Sequence, residues 1–194
     1  MFIVFPRYRT RVSVFAIPLM LLMLYTEGGE AFFVMLFAAF VHELGHLLAI
    51  AFLGYRTRRL DILPMSALIV LPDGIPYRDE LIIAVSGPLA SLLCAAFSGL
   101  IVAFTGNALL LFFCVMNGVL CFFNLLPFKK SDGGKALYSA LATKNEKSAE
   151  RVCSVASYIA LFAFAALALL CVLLSDANFG FVLLTLALVL QVNT

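Results

Sequence analysis

Long apolar runs constrain this chain more than any other feature. Six stand out, at about residues 12–25, 31–53, 81–104, 108–126, 152–174 and 179–190. Crossing a bilayer as a helix takes about 20 apolar residues, so the middle four are long enough and the first and last are short. The segments between the runs divide by charge. Glu27 and Glu30 lie between the first two, Thr105-Gly106-Asn107 joins the third to the fourth, and Ser175-Asp176-Ala177-Asn178 joins the fifth to the sixth. All 13 Lys and Arg residues fall on the alternate connections, beginning with Arg7, Arg9 and Arg11. The positive-inside rule then places that face, and both termini, in the cytoplasm.

Composition agrees with these runs. The chain is 64% hydrophobic and 12% charged, whereas a soluble domain is closer to half apolar and a quarter charged. The net charge of +2 is small, and no Lys/Arg block forms a nucleic-acid footprint. Five cysteines, Cys94, Cys114, Cys121, Cys153 and Cys171, are scattered through apolar runs without a C-x-x-C pair. They read as packing residues rather than as a disulfide framework or a zinc site. The basic residues before the first run resemble a secretory signal, but the further spans favour a first transmembrane helix.

Two basic-side connections carry structure of their own. Residues 60–63 and 67–71 are β-favouring, separated at Pro64 and closed by Pro72-Asp73-Gly74. They predict a small amphipathic hairpin at the membrane surface. Residues 132–142 are compatible with a helix. The expected fold is therefore an all-α polytopic membrane protein of about six transmembrane helices, with a small membrane-surface β-hairpin between helices two and three.

The sharpest chemical feature is His42-Glu43-Leu44-Gly45-His46. Helical residues four apart share a face, so both imidazoles can bind one metal ion while Glu43 reaches a metal-bound water. The chain's only two histidines stand in this pentapeptide, and Glu43 is the only acidic residue of its span. Ionisable groups at membrane depth are costly and are usually functional. Zinc normally takes three protein ligands plus water. The best remaining candidate is Asp132, in the segment from Asn124-Leu125-Leu126-Pro127 to Ser131-Asp132-Gly133-Gly134. Spans two and four run in the same direction, so their ends can meet. Pro127 should break the helix, and the paired glycines allow tight folding. The alternative is a surface Asp that caps the helix after it.

Taken together these segments resemble the site-2 protease family of intramembrane zinc metalloproteases. The likeness rests on His42–His46, on Ser86-Gly87-Pro88-Leu89, and on the pattern Asn-x-x-Pro-x-x-x-x-Asp-Gly from Asn124 to Gly133, with a matched core of about residues 31–142. The resemblance implies one zinc per chain held by His42, His46 and Asp132, with Glu43 as general base and Asn124 beside the site holding substrate or water. An interhelical hydrogen bond is the plainer role for Asn124. Gly87 reads as a place of close helix approach rather than of chemistry. Short loops, the hairpin and residues 54–64 look most like the sporulation-type branch, whose best-known member activates a mother-cell sigma factor. Two departures stand out. Phe128-Lys129-Lys130-Ser131 replaces the second proline of many members, and the CBS domain of that branch is not expected here, nor is a PDZ insertion. The whole chain, 1–194, is expected to be one protease domain.

The reading is zinc-dependent cleavage of a peptide bond in or near a membrane segment of a membrane-associated pro-protein, such as a sporulation or signalling regulator. The setting is a multi-pass protein of the bacterial cell membrane. An extended substrate could add as a strand to the hairpin around Leu68 and Val70. A membrane regulator or a second copy of the chain are further expected partners. Two alternatives stand beside it. One is a catalytically inactive membrane binding or regulatory protein. The other is a membrane HExxH protease of another family, which would take a Glu ligand from a later span where this chain has none.

Overall fold

In a computed structural model, residues 2–5, 10–13, 16–62, 67–72 and 74–174 are described. The elements run β1 (Phe2–Phe5), β2 (Thr10–Ser13), α1 (Ala16–Glu27), α2 (Gly29–Phe52), β3 (Arg59–Ile62), β4 (Ala67–Val70), α3 (Tyr77–Thr105), α4 (Ala108–Leu125), α5 (Asp132–Ala142) and α6 (Glu146–Leu174).

Among the described residues, four helices are long and apolar enough to cross a membrane: α2, α3, α4 and residues Glu146–Ala166 of α6. They correspond to the second to fifth apolar runs. The sixth run lies outside the described residues. The first differs from expectation. Its opening residues, Val12 and Ser13, belong to β2, and the helix after them has 12 residues. At 1.5 Å per residue that is about 18 Å, short of a roughly 30 Å hydrocarbon core. Apolar side chains cover the outside of the long helices. Phe33, Phe40, Leu48 and Phe52 of α2 are 57–91% exposed, a surface suited to lipid rather than water.

The all-α expectation also needs correction, because a four-stranded sheet in the order β1-β2-β3-β4 accompanies the helices. β3 and β4 pair antiparallel, Arg59 opposite Val70 and Ile62 opposite Ala67, close to the segments expected to be extended. Residues 63–66, which would form their turn, are not among the described ones. β2 pairs with β3 in parallel and with β1 in antiparallel sense. Thr and Val, both β-branched, suit β2 to a strand. Its partner β3 lies some fifty residues away, beyond the reach of local pattern.

Helix ends follow local chemistry. α2 stops at Gly54 (φ 78°), where Gly54 N–H bonds Ala51 O and Tyr55 N–H bonds Ile50 O, a Schellman closure. Gly106 (φ 63°) ends α3. Asn107 and Asn145 then accept from Leu110 N–H (2.9 Å) and Ser148 N–H (3.2 Å), starting α4 and α6.

The chain forms two compact units, Met1–Pro76 with Ser86–Phe122, and Tyr77–Val85 with Phe123–Thr194. In the first, α2 packs antiparallel on α3, and Phe37 of α2 stacks on Phe113 of α4 with centroids 5.5 Å apart. In the second, Phe128 is 1% exposed and its ring, like that of Phe123, meets Phe164 of α6. Ser157 donates to Pro127 O (2.5 Å), Tyr77 to Glu146 (2.6 Å) and Ser139 to Glu80 (3.1 Å).

Candidate metal centre

The first unit supplies two imidazoles from one helix face. His42 and His46 are 4% and 7% exposed, and their rings lie 5.0 Å apart, nearly perpendicular. Helical spacing of four produces this placement. Glu43, one position on, is half-buried.

This histidine face presses on a stripe of small residues of α3. A Cβ built on Gly45 would lie 2.6 Å from Ser86 O and 2.7 Å from the Ala90 methyl, so the two backbones touch. A Cβ on Gly87 would overlap the His46 imidazole at Nε2 and Cε1. Only hydrogen at positions 45 and 87 allows this approach, the usual way in which small residues bring membrane helices together. Close approach is the role expected of Gly87, and its neighbour in the contact is a candidate ligand. One turn further, Ser91 Oγ lies 3.0 Å from His42 Nδ1, and Ser91 is fully buried.

The second unit supplies a carboxylate from a broken helix. α4 ends at Leu125, and Pro127 lacks the N–H that a further turn would need. Phe128 N–H bonds Leu126 O (2.8 Å), Ser131 N–H bonds Phe128 O (3.0 Å), and the Ser131 hydroxyl donates to Leu126 O and Phe128 O. A Cβ on Gly133 would overlap the Leu125 carbonyl, and one on Gly134 that of Phe128. The glycine pair thus folds the first turn of α5 tightly onto the end of α4. Asn124 lies in the last turn of α4 and is half-buried.

Asp132 opens α5 and is 8% exposed. It is not the N-cap. Ser131 fills that role, its hydroxyl accepting from Gly134 N–H at 3.2 Å. Lys135 Nζ stands 3.6 Å from Asp132 Oδ1, and Lys129 and Lys130 are exposed.

Comparison with known proteins agrees with these features. No protein-family profile matches the chain. It is 32% identical over 118 residues to a zinc metalloprotease of Methanocaldococcus jannaschii, a match covering 58% of this chain and 34% of that protein. It is 29% identical over 119 residues to stage IV sporulation protein FB of Bacillus subtilis, covering 59% and 41%. The solved site-2 protease from M. jannaschii shares the fold, with a TM-score of 0.70 at 21% identity over all of this chain and 94% of that one. In sequence and in fold the chain resembles the site-2 proteases.

The chain is predominantly helical, and its four long apolar helices make it a multi-pass membrane protein. The matches span 34% and 41% of the lengths of these curated relatives. The donor set suits zinc, since His42, His46 and Asp132 are all buried and each offers a ligand atom of the kind zinc takes. Nδ1 of His42 faces Ser91, so a metal at this histidine would be taken through Nε2. Leu68 and Val70 lie on β4, a terminal strand of the sheet.

Two contributors escaped the sequence reading. Ser91 follows Gly87 by four residues, the spacing by which His46 follows His42, and that repeated interval was the available signal. Ser131 was overlooked as a cap because the adjacent Asp is also a good capping residue.

Proposed function

We propose that this chain is an intramembrane zinc endopeptidase, with one zinc held by His42, His46 and Asp132, that cleaves a peptide bond in or near a membrane segment. The observation that carries the reading is a buried His-Glu-x-x-His face on an apolar helix, its two rings 5.0 Å apart against a glycine-lined neighbour. The Asp132 assignment draws support from its burial and from Ser131 taking the cap that was its alternative use. A bound zinc ion supplies a Lewis acid for the scissile carbonyl and lowers the pKa of water toward about 7.

Glu43 takes the proton of the attacking water and returns it to the leaving amine. Asn124, in the last turn of α4, holds substrate or water. A helical substrate hides its carbonyls in its own hydrogen bonds, so it must be extended before attack. β4 is a terminal strand, and its edge around Leu68 and Val70 is suited to receive an extended segment. The basic connections face the cytoplasm of a bacterial cell, by the positive-inside rule. The substrate is a membrane-associated pro-protein, and the similarity to stage IV sporulation protein FB favours a sporulation or signalling regulator. A membrane regulatory protein or a second copy of the chain would control access.

Glu43→Gln tests the chemistry. It should reduce cleavage by about 10²–10⁴-fold while zinc stays bound. Near-normal cleavage would remove Glu43 from the mechanism.

A further inference from the structure

Three buried polar side chains of the first unit fall at one level of the helices, and one acceptor among them, Asn117 Oδ1, has no partner. His42 is 4% exposed, and Ser91 and Asn117 are fully buried. The level follows from the packing. α2 and α3 run antiparallel, since Gly45 meets Ala90 and His46 meets Gly87, while His42 meets Ser91. α4 runs back along α3, with Cys114 Sγ donating to Ala95 O at 3.2 Å. It therefore runs parallel to α2, with Phe113 stacked on Phe37. One helical turn from these contacts brings α4 to Asn117, α3 to Ser91, and α2 to Val41 and His42. Asn117 follows Phe113 by four and Cys114 by three, so it shares the face that meets α2 and α3.

Asn117 Nδ2 donates to Phe113 O at 2.9 Å, but its Oδ1 has no partner. An unsatisfied acceptor inside a membrane helix bundle is costly. Ser91 has one donor hydrogen, and which way it points decides the state of His42. If it points at Nδ1, that nitrogen is the acceptor and Nε2 carries the ring proton, which blocks metal binding there. If it points elsewhere, Ser91 Oγ accepts from Nδ1–H, and Nε2 is bare and ready to ligate. A nearby acceptor lacking a donor resolves the choice.

We propose that Asn117 and Ser91 are positioning residues for His42: Asn117 Oδ1 accepts a hydrogen bond from the Ser91 hydroxyl through one bridging water, so that Ser91 Oγ accepts from His42 Nδ1–H and Nε2 is presented to the metal. The inference rests on the zinc reading above. It requires two residues outside both ligand-bearing segments, Ser91 on α3 and Asn117 on α4, neither helix carrying a proposed ligand.

The test compares wild type, Ser91→Ala, Ser91→Thr and Asn117→Leu in detergent. Zinc affinity is measured by competition with a chelator. Ring tautomers are read from ¹⁵N-histidine spectra of the zinc-free protein, which has only two histidines to assign. Wild-type His42 should be in the Nδ1–H form. Asn117→Leu and Ser91→Ala should each weaken zinc binding about tenfold, the scale expected when a ligand histidine loses its outer partner. Both should shift His42 toward Nε2–H, and the double variant should be little worse than either, because the residues act in series. Ser91→Thr keeps a hydroxyl and should restore both readouts. Wild-type affinity together with an unchanged His42 ring in Asn117→Leu would overturn the proposal. If that variant does not fold, Asn117→Ala is read by the same criteria. Failure of wild type to bind zinc would instead sink the protease reading, while the tautomer comparison still judges Asn117 and Ser91.

Discussion

The two regions that carry the candidate ligands are built by opposite means. The histidine region is regular: an uninterrupted helix sets the spacing of His42 and His46, and glycines at 45 and 87 let α3 press against them. The aspartate region is an interruption. α4 stops at Leu125, Pro127 prevents its continuation, and Ser131 with the Gly133-Gly134 pair starts a new helix at Asp132. Periodicity fixes a ligand pair cheaply because every helical residue helps hold it. A single ligand on a break depends on a few specific backbone and hydroxyl contacts. Mutations should therefore act by overlap in the first region and by lost local hydrogen bonds in the second.

The largest effect should come from the tightest contact. Gly87→Ala puts a methyl where the His46 imidazole sits. His46 must turn away, so zinc affinity should fall by about 100-fold or more, toward the upper end of outer-partner losses, and cleavage should fall with it. Isothermal titration with zinc and a cleavage assay check this. Unchanged zinc binding would show that α2 and α3 can part without cost, and the contrast between the regions would fail.

A selective effect is expected from the sheet. Proline at both Leu68 and Val70 removes two backbone N–H groups from β4. Cleavage of an intact membrane substrate should drop about tenfold or more, roughly the 1.4 kcal/mol that one or two lost net hydrogen bonds represent, with zinc affinity unchanged. Photocrosslinking from these positions should capture substrate in the parent protein. Normal cleavage with no crosslink would separate the sheet from substrate handling.

The smallest effect belongs to Ser131→Ala. Loss of the cap at Gly134 N–H should cost about 1 kcal/mol of stability, read as a lowered midpoint in thermal unfolding. Zinc affinity should weaken less than in Gly87→Ala, since Asp132 keeps its own position in the first turn.

The same contrast explains what could be read from sequence. The long helices α2, α3, α4 and α6 follow from apolar runs, because membrane length and lipid exposure impose a local pattern. The histidine pair was legible because its geometry is that of four residues on a helix. β3 and β4 were legible as extended segments, since they are β-branched or apolar stretches bounded by turn residues. β1 and β2 were not, because strand pairing across some fifty residues leaves no local trace and Val12 also suits a helix. Ser91 was missed for the same reason: a serine among small residues gains its meaning only from the helix packed opposite. At the break, Pro127 and the glycines announced a change of direction, whereas the division of labour between Ser131 and Asp132 depended on side-chain geometry.

Asp132 is the residue on which the proposal turns, because the proposed zinc centre needs its carboxylate as third ligand. The decisive measurement is zinc stoichiometry of purified Asp132→Ala in detergent, by metal analysis after dialysis at limiting free zinc, with cleavage measured on the same samples. The account predicts about one zinc per chain in wild type, from one set of three protein ligands, a sharply reduced content in Asp132→Ala, and no detectable cleavage. Asp132→Glu should retain part of the metal and little of the activity, because its longer side chain shifts the ion relative to Glu43. Full zinc occupancy with near-normal cleavage in Asp132→Ala would contradict the account and place the third ligand elsewhere.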